Sequence, residues 1–132
     1  MNLTYIRDPE LTAEQVADLF RRSTIRRPVE DLERIGRMLA HASRTICAYD
    51  GDKLVGIARS LTDFSYACYL SDLAVDEAYQ KQGIGKELVN RTHDVIGPEC
   101  AFLLLSAPAA MDYYPKIGFQ KAENAYIIKR TQ

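Results

Sequence analysis

Residues 80–85 read Gln-Lys-Gln-Gly-Ile-Gly, and this stretch decides the fold because it separates a strand-like segment from a helical one. Two glycines at the mouth of a helix let the backbone approach a ligand closely. The free N–H groups of the first helical turn favour an anion such as a phosphate. The stretch therefore predicts an anion-binding loop, although a lone Gly-x-Gly also fits a helix cap without a ligand.

The loop does not match the two common nucleotide motifs. A Walker A motif requires Gly at position 80 and Ser or Thr at position 87, where this chain has Gln80 and Glu87. A Rossmann motif requires Gly or Ala where Leu88 stands. We therefore expect neither of these nucleotide sites.

The segments on both sides of the loop predict a strand, helix, strand unit. Residues 66–75 form a long strand pattern, and residues 101–106 form a buried one. Between them, apolar residues recur at helical spacing from Ile84 until Gly97 and Pro98 end the helix. A right-handed crossover of this kind makes the two strands parallel neighbours.

The rest of the chain predicts further strands and helices around this unit. Residues 3–7, 45–49 and 54–61 are strand patterns, and Gly51 lies in a hairpin turn. Thr12 and Gln15 form a capping box that starts a first helix, and a second helix follows Pro28. Beyond the crossover we expect a short helix over residues 109–114, limited by Pro115. A final hairpin then joins residues 119–121 to residues 125–129. The class is mixed α/β, antiparallel before the crossover.

Composition limits the classes of function. The 132 residues are 47% hydrophobic and 27% charged, which predicts one globular domain over residues 1–132. The formal net charge of −1 argues against nucleic acid as a partner. The one local cluster of basic residues that could bind an anion is Arg21, Arg22, Arg26 and Arg27. That cluster fits either a solvated helix end or a rim that attracts an anion. The longest apolar run covers only residues 101–105, so we expect no membrane span.

Charged residues Arg7, Asp8 and Glu10 lie where a secretory signal would be apolar, so we expect a cytoplasmic protein. Cys47, Cys68 and Cys100 are odd in number and lie among apolar neighbours, so we expect buried reduced thiols rather than disulfides. With two histidines and no Cys-x-x-Cys pair, no metal site is expected.

Two motifs together resemble a known family. Residues 73–76 and 79–86, followed by Leu88, resemble motif A of the GCN5-related N-acetyltransferase (GNAT) superfamily, whose loop reads Q/R-x-x-G-x-G/A. Residues 114–119 are similar to the family's C-terminal Y-x-x-x-G-F signature. The resemblance spans essentially the whole chain. It implies an α/β (α+β) fold: a mostly antiparallel sheet of six to seven strands, about four helices and the crossover at the acetyl-CoA site.

The resemblance implies an N-acetyltransferase in which a primary amine attacks acetyl-CoA directly, through a tetrahedral intermediate. The Leu73 N–H would polarise the thioester carbonyl and stabilise the oxyanion. Tyr114 would protonate the departing thiolate. The alternative is that Tyr114 only packs under the loop. The adjacent Tyr113 is expected to be a core residue. The residues that the resemblance places on acetyl-CoA are Leu73, Ala74, Val75, Gln80, Lys81, Gln82, Gly83, Ile84, Gly85 and Lys86.

The acceptor side is less determined. Asp72 would bind a substrate ammonium or relay its proton, or else serve only as a strand-edge carboxylate. Tyr69 and Ser71 alternate with Asp72, so only one set faces the acceptor pocket unless a bulge intervenes. In the family's architecture, Arg26 and its neighbour Arg27 would rim that pocket.

Three points stay open at this level. Many family members carry an Asn that helps to hold CoA where this chain has Ala107. A non-catalytic acyl-CoA-binding module is the alternative to an enzyme. We expect a small-molecule amine rather than a protein tail as acceptor, and the resemblance leaves a homodimer open.

Overall fold

A five-stranded mixed sheet forms the centre of the computed structural model, which describes residues 1–132. The strands follow one another across the sheet in sequence order. They are β1 (Leu3–Arg7), β2 (Arg44–Asp50), β3 (Lys53–Thr62), β4 (Ala67–Val75) and β5 (Ala101–Leu104). The first four are antiparallel, and β4 pairs with β5 in parallel, which confirms the predicted crossover.

Four α-helices accompany the sheet: α1 (Ala13–Arg22), α2 (Leu32–Ala40), α3 (Ile84–Ile96) and α4 (Tyr113–Lys116). The capping box predicted at Thr12 is present, because its hydroxyl accepts from the Gln15 N–H at 3.1 Å and the Gln15 side chain accepts from the Thr12 N–H at 2.9 Å. Gly97 ends α3 with a φ of +81°, as predicted. None of the helices combines the length and the hydropathy that crossing a membrane requires.

The core has two main parts, one on each face of the sheet. On the first face, α1 and α2 bury Val16, Leu19, Phe20 and Ile35 against Ile57 and Ala74. On the second face, α3 buries Ile84, Leu88 and Val89 against Val55, Ala58 and Leu70. The crossover helix is thereby fixed against the sheet, and its N-terminus lies just beyond the end of β4.

The predicted final hairpin is wrong. Residues 119–121 and 125–129 form no strands, so the sheet has five strands rather than six or seven. Residues 120–132 are all exposed, and the side chains of Tyr126 and Ile128 are almost completely so. β-propensity alone does not form a strand, since a strand requires a partner along its edge.

Two smaller boundaries also differ from the prediction. β5 ends at Leu104, two residues before the predicted end at Ser106. The predicted helix over residues 109–114 is replaced by a 3₁₀ turn (Pro108–Ala110) and by α4. Pro115 does not limit that helix because it lies in the first turn of α4, where its missing N–H is not needed.

Candidate active site

A β-bulge at Ser71 interrupts β4. Arg59 of β3 pairs with Asp72 and Ser60 pairs with Leu70, so Ser71 has no partner on β3. A bulge shifts the alternation of side chains by one residue. Leu70 and Leu73 consequently both pack in the core on the α3 face, while Asp72 meets side chains from the other face.

Two arginines hold the bulge in place. The Asp72 side chain is completely buried, and its two oxygens accept from Arg27 Nε and Arg59 Nε, each at 2.5 Å. Arg27 Nη2 also donates to the Ser71 carbonyl at 2.7 Å, and Arg59 Nη2 donates to the Ser71 hydroxyl at 2.9 Å. The network therefore joins the α1–α2 connection, β3 and the bulged residue of β4.

This network clarifies the predicted acceptor residues. Both oxygens of Asp72 are engaged by guanidinium groups, so the geometry favours a positioning carboxylate over a free base. Arg26 is exposed, and its carbonyl accepts from Arg27 Nη1 at 2.6 Å. Arg27, rather than Arg26, reaches the sheet, while Tyr69 lies half-buried on β4 before the bulge.

Sequence reasoning missed Arg59. Its side chain is only 6% exposed, although it lies within a segment that was interpreted as an apolar strand. A charged residue in the middle of an apolar strand pattern was the available signal, because buried charges in proteins are nearly always paired.

The end of β4 has one free edge. Pairing with β5 stops at Leu70 and Leu104, whereas pairing with β3 continues to Val75. Beyond the bulge, β4 is therefore hydrogen-bonded on one side only. The Gln80 side chain donates to the Val75 carbonyl at 3.1 Å and links the following loop to this edge.

The loop after β4 leads into an uncapped helix N-terminus. Side chains of Thr12 and Asp31 cap α1 and α2, but Gly83 at the N-cap of α3 offers no side-chain acceptor. Gly83 has a φ of +81°, which glycine adopts readily. Lys81 has a φ of +65°, which residues other than glycine adopt uncommonly. No side chain at the N-cap accepts from the first-turn N–H groups of α3, where the sequence predicts that an anion binds. The side chain of Ile84 packs into the core, so only its backbone faces this site.

Two tyrosines of α4 complete the site. Tyr114 is half-buried, with its ring edge-to-face against Phe119 at 5.7 Å between centroids. Burial raises the pKa of Tyr114, neighbouring Tyr113 adds to this, and the Arg27 guanidinium partly offsets it. The phenol of Tyr114 therefore lies within electrostatic reach of the network that holds the bulge.

Tyr113 is not the core residue that the sequence suggests, since it is 38% exposed. Gly85 lies in the first turn of α3. A Cβ atom added at Gly85 would lie 2.8 Å from the Tyr113 hydroxyl and 3.9 Å from the Val75 side chain. Burial of its ring raises the pKa of Tyr113. The Tyr113 hydroxyl thus lies close to the first turn of α3.

Gly85→Ala tests the contact with Tyr113. If the contact exists, the changes in unfolding free energy caused by Gly85→Ala and Tyr113→Phe should not be additive. Alanine in a helix is more favourable than glycine by roughly 1 kcal/mol, but the added methyl group would displace the Tyr113 hydroxyl. We expect little or no stabilisation in the wild-type background, and stabilisation once Tyr113→Phe removes the hydroxyl. Urea unfolding of the two single variants, the double variant and the wild type measures this. Additive free energies would show that the two residues do not touch.

The cysteines provide no nucleophile at this site. All three are free and buried, as predicted. Burial, with a smaller contribution from Asp8, raises the pKa of the Cys47 thiol to about 12. Burial also raises the pKa of Cys68. Neither of these two thiols is a thiolate at neutral pH, and the thiolate is the reactive form.

Comparison with known protein families assigns the chain. The family model described as an acetyltransferase (GNAT) domain matches residues 8–129. The chain belongs to the GNAT family. The matched domain is an acetyltransferase domain, and the GNAT family uses acetyl-CoA as acyl donor.

One curated relative is a longer GNAT protein. It is GCN5-related N-acetyltransferase 2, chloroplastic, from Arabidopsis thaliana, which is 33% identical over 70 residues. The match covers 52% of this chain and 27% of the plant protein, so it reaches only about a quarter of that relative.

Solved structures share the GNAT fold. The crystal structure of SA2161 from meticillin-resistant Staphylococcus aureus is 24% identical, with a TM-score of 0.79 over 97% of this chain and 99% of that one. The aminoglycoside N-acetyltransferase AAC(6′)-Iy in complex with CoA is 14% identical, with a TM-score of 0.70 over 99% of this chain and 96% of that one. At these identities the likeness establishes the fold alone.

Proposed function

We propose that this GNAT protein transfers the acetyl group of acetyl-CoA to a primary amine of a small molecule. The observation that carries the proposal is the free edge of β4, which begins at the bulge and ends at the uncapped N-terminus of α3. An extended chain that carries a phosphate group at one end fits this arrangement, because the edge offers backbone hydrogen bonds and the helix offers N–H groups.

The residues present fit acetyl-CoA as the donor. Backbone groups of Leu73 and Val75 would bind the pantetheine arm along the free edge of β4. A carbonyl oxygen has two lone pairs, so Val75 can accept from the arm as well as from the Gln80 side chain. The backbone N–H groups from Gln82 to Lys86 would hold the pyrophosphate. Bound there, acetyl-CoA supplies an activated thioester.

The chain's own groups would then act on the transfer. The Leu73 N–H would stabilise the negative charge that develops on the thioester oxygen as the amine attacks. Tyr114 would donate its proton to the departing thiolate, and its raised pKa keeps the phenol protonated at neutral pH. No residue of the site is assigned as the base, and Asp72 would act only by positioning Arg27 and Arg59.

Local charge suggests the kind of acceptor. Two guanidinium groups and one carboxylate give the network an excess of one positive charge. The Arg27 side chain remains 27% exposed, and its charge partly lowers the pKa of Tyr114. We therefore propose a small amine that also carries an anionic group. The structural relative AAC(6′)-Iy, bound to the bisubstrate analog CoA-S-monomethyl-acetylneamine, supports a small-molecule acceptor more generally.

Thermal unfolding with acetyl-CoA is the first test of this function. A ligand at about 100 times its dissociation constant stabilises a protein by roughly 2.7 kcal/mol, so we expect a shift of several degrees. ATP and NAD serve as controls and should produce no comparable shift. No shift with acetyl-CoA well above a plausible dissociation constant would contradict the proposed donor site.

A panel of amines then tests the acceptor. We expect CoA thiol release, followed with a thiol reagent, to be faster with amino acids or phosphorylated amino sugars than with polyamines. Faster release with the polyamines would contradict the charge argument while leaving the donor site intact.

A further inference from the structure

A short turn joins β4 to the glycine loop. It covers residues 76–80 and contains a 3₁₀ helix (Glu77–Tyr79). The Asp76 N–H donates to the Val55 carbonyl at 2.9 Å, and the Asp76 carboxylate accepts from the Ala78 N–H at 2.9 Å. The side chain of Asp76 is only 6% exposed. The turn therefore begins with a buried carboxylate, which requires a partner of opposite charge.

Arg22, the last residue of α1, is that partner. Its Nη1 pairs with Asp76 Oδ2, and its Nη2 donates to the Leu54 carbonyl at 3.0 Å. Its Nε donates to Asp18 of the same helix at 3.1 Å. Burial acts to raise the pKa of Asp76, but the Ala78 N–H and the Arg22 guanidinium lower it below its usual range. Arg22 thus joins α1 and β3 to the start of the turn through an ionised pair.

This placement separates Arg22 from its neighbour in the basic cluster. Arg21 pairs with Glu30 at the surface at 3.6 Å, and the two side chains are 46% and 91% exposed. The Arg22 side chain is 27% exposed, and each of its guanidinium nitrogens has an acceptor on the protein. Arg22 is therefore engaged inside the fold, unlike a residue on an anion-attracting rim.

A second contact fixes the far side of the turn. The Tyr79 hydroxyl donates to Asp50 Oδ2 at 2.6 Å. The other oxygen of Asp50 accepts from the Asn2 N–H at 2.9 Å. The Tyr79 N–H donates to the Asp76 carbonyl at 2.8 Å. The turn is therefore attached to α1 through Asp76 and to the end of β2 through Tyr79.

The glycine loop itself has few contacts of its own. No side chain from residue 81 to residue 86 forms a hydrogen bond. Lys81 nevertheless keeps a φ of +65°, and such a conformation persists only where the flanking structure holds it. The position of the loop is therefore set by the two elements that it joins, which are the turn and α3.

We propose that Arg22 is a positioning residue for acetyl-CoA binding, because it holds the turn through Asp76 and so orders the loop before the cofactor arrives. The inference rests on the proposed function, which assigns the N–H groups of the loop to the pyrophosphate. A site that is ordered in advance binds more tightly, since no loop has to be immobilised on binding. Without Arg22, Asp76 keeps only the Lys53 ammonium at 3.8 Å, and that side chain is more than half exposed.

Arg22→Gln in the full-length protein tests this role. We expect the Kd for acetyl-CoA, measured by isothermal titration calorimetry, to rise roughly tenfold, because loop residues must then be ordered on binding. Turnover at saturating acetyl-CoA, measured with the fastest amine of the panel above, should stay close to that of the wild type. An unchanged Kd would overturn the proposal, and so would a loss confined to turnover.

Arg21→Gln is the matched control. It removes the same charge from the neighbouring residue, which contacts Glu30 and the Val29 carbonyl rather than the turn. Its Kd for acetyl-CoA should equal that of the wild type. The defect of Arg22→Gln should persist in about 0.5 M salt, where long-range attraction of phosphates is screened. Equal defects in the two variants, or a defect that salt removes, would mean that Arg22 only attracts the anion.

Asp76→Asn tests whether Arg22 acts through Asp76. If it does, the two substitutions should not be additive, and the double variant should bind acetyl-CoA about as well as Arg22→Gln alone. Additive changes in binding free energy would contradict this route.

Hydrogen exchange of the unliganded protein gives a readout that does not require acetyl-CoA. Arg22→Gln should speed exchange at Ala78 and Tyr79, whose N–H groups donate to Asp76, while α3 stays protected. Uniform acceleration over the whole chain would indicate a general stabilising role and would contradict the proposal.

Arg22→Lys is the milder variant if Arg22→Gln does not fold. Lysine keeps the charge but lacks the planar fork that reaches both Asp76 and the Leu54 carbonyl. We expect the same local pattern of exchange and a smaller rise in Kd, and wild-type values of both would refute the role of Arg22. If the wild type does not bind acetyl-CoA, the proposed function fails together with this inference. If the wild type binds it with the same Kd as the Arg22 variants, only this inference fails.

Discussion

Replacing Tyr114 by Phe is expected to lower turnover by about 100-fold or more while leaving the affinity for acetyl-CoA unchanged. General acid catalysis by a positioned side chain contributes roughly 10² to 10⁴ in rate. Phenylalanine keeps the ring contacts with Phe119 and Tyr113, so it removes only the proton donor. Steady-state kinetics combined with acetyl-CoA binding measures both quantities.

Tyr113→Phe is the matched control for this variant. It removes a hydroxyl from the adjacent residue, which contacts Gly85, and should change turnover far less than Tyr114→Phe. If the two variants lose rate equally, or if Tyr114→Phe retains full turnover, Tyr114 is not the acid. An unchanged rate would leave the ring of Tyr114 with a packing role under the loop.

The pH dependence gives an independent check on Tyr114. Burial raises its pKa above the ordinary value of 10.0, so the phenol holds its proton through the neutral range. A general acid fails only as pH rises through its pKa. Any loss of wild-type rate caused by Tyr114 ionisation should therefore occur above pH 10. The pH–rate profile of Tyr114→Phe should lack this decrease. If the wild-type rate falls near neutral pH and this decrease is absent in Tyr114→Phe, Tyr114 does not have the raised pKa that we assign to it.

Asp72→Asn is expected to lower the free energy of unfolding by about 3 kcal/mol, or roughly 10 °C in Tm. The substitution leaves two guanidinium groups without their carboxylate, and the Arg59 side chain is only 6% exposed. Solvent around the partly exposed Arg27 moderates the loss. Urea unfolding measures the change.

Glu33→Gln is the matched control for Asp72→Asn. It removes the carboxylate of an exposed ion pair with Arg37, in which both side chains are more than half exposed. Surface pairs of this kind contribute about 1 kcal/mol or less. Equal stabilities of the two variants would contradict the structural role that we assign to Asp72.

The same variant distinguishes positioning from proton transfer. The network holds the bulge at Ser71, which begins the free edge of β4, so acetyl-CoA affinity should fall together with stability. A proton acceptor would behave differently, because its loss would lower kcat without destabilising the fold. A stable Asp72→Asn variant with slow turnover would therefore restore Asp72 as a base.

Local signals in the sequence were sufficient for most elements. Thr12 and Gln15 predict the start of α1, and Gly97 predicts the end of α3, because a cap is formed by residues a few positions apart. The glycine loop likewise predicts the N-terminus of α3 and its open N–H groups. These features depend on backbone conformations that neighbouring residues fix.

Pairing between distant segments was predicted less well. Residues 125–129 have strand propensity, yet the structure gives them no partner within the chain. The bulge at Ser71 could only be considered as an alternative, because its cause is two arginines 12 and 44 residues away in sequence. Sequence periodicity does not report such contacts.

The sequence by itself determined the family, the crossover and the glycine loop that begins α3, since these depend on short motifs and regular apolar spacing. Only the tertiary structure decided how the site is assembled. It buried Asp72 between Arg27 and Arg59, turned Arg26 outward and placed the Tyr113 hydroxyl against Gly85. The physical reason is that the burial of a charge and the choice of its partner are set by packing between elements.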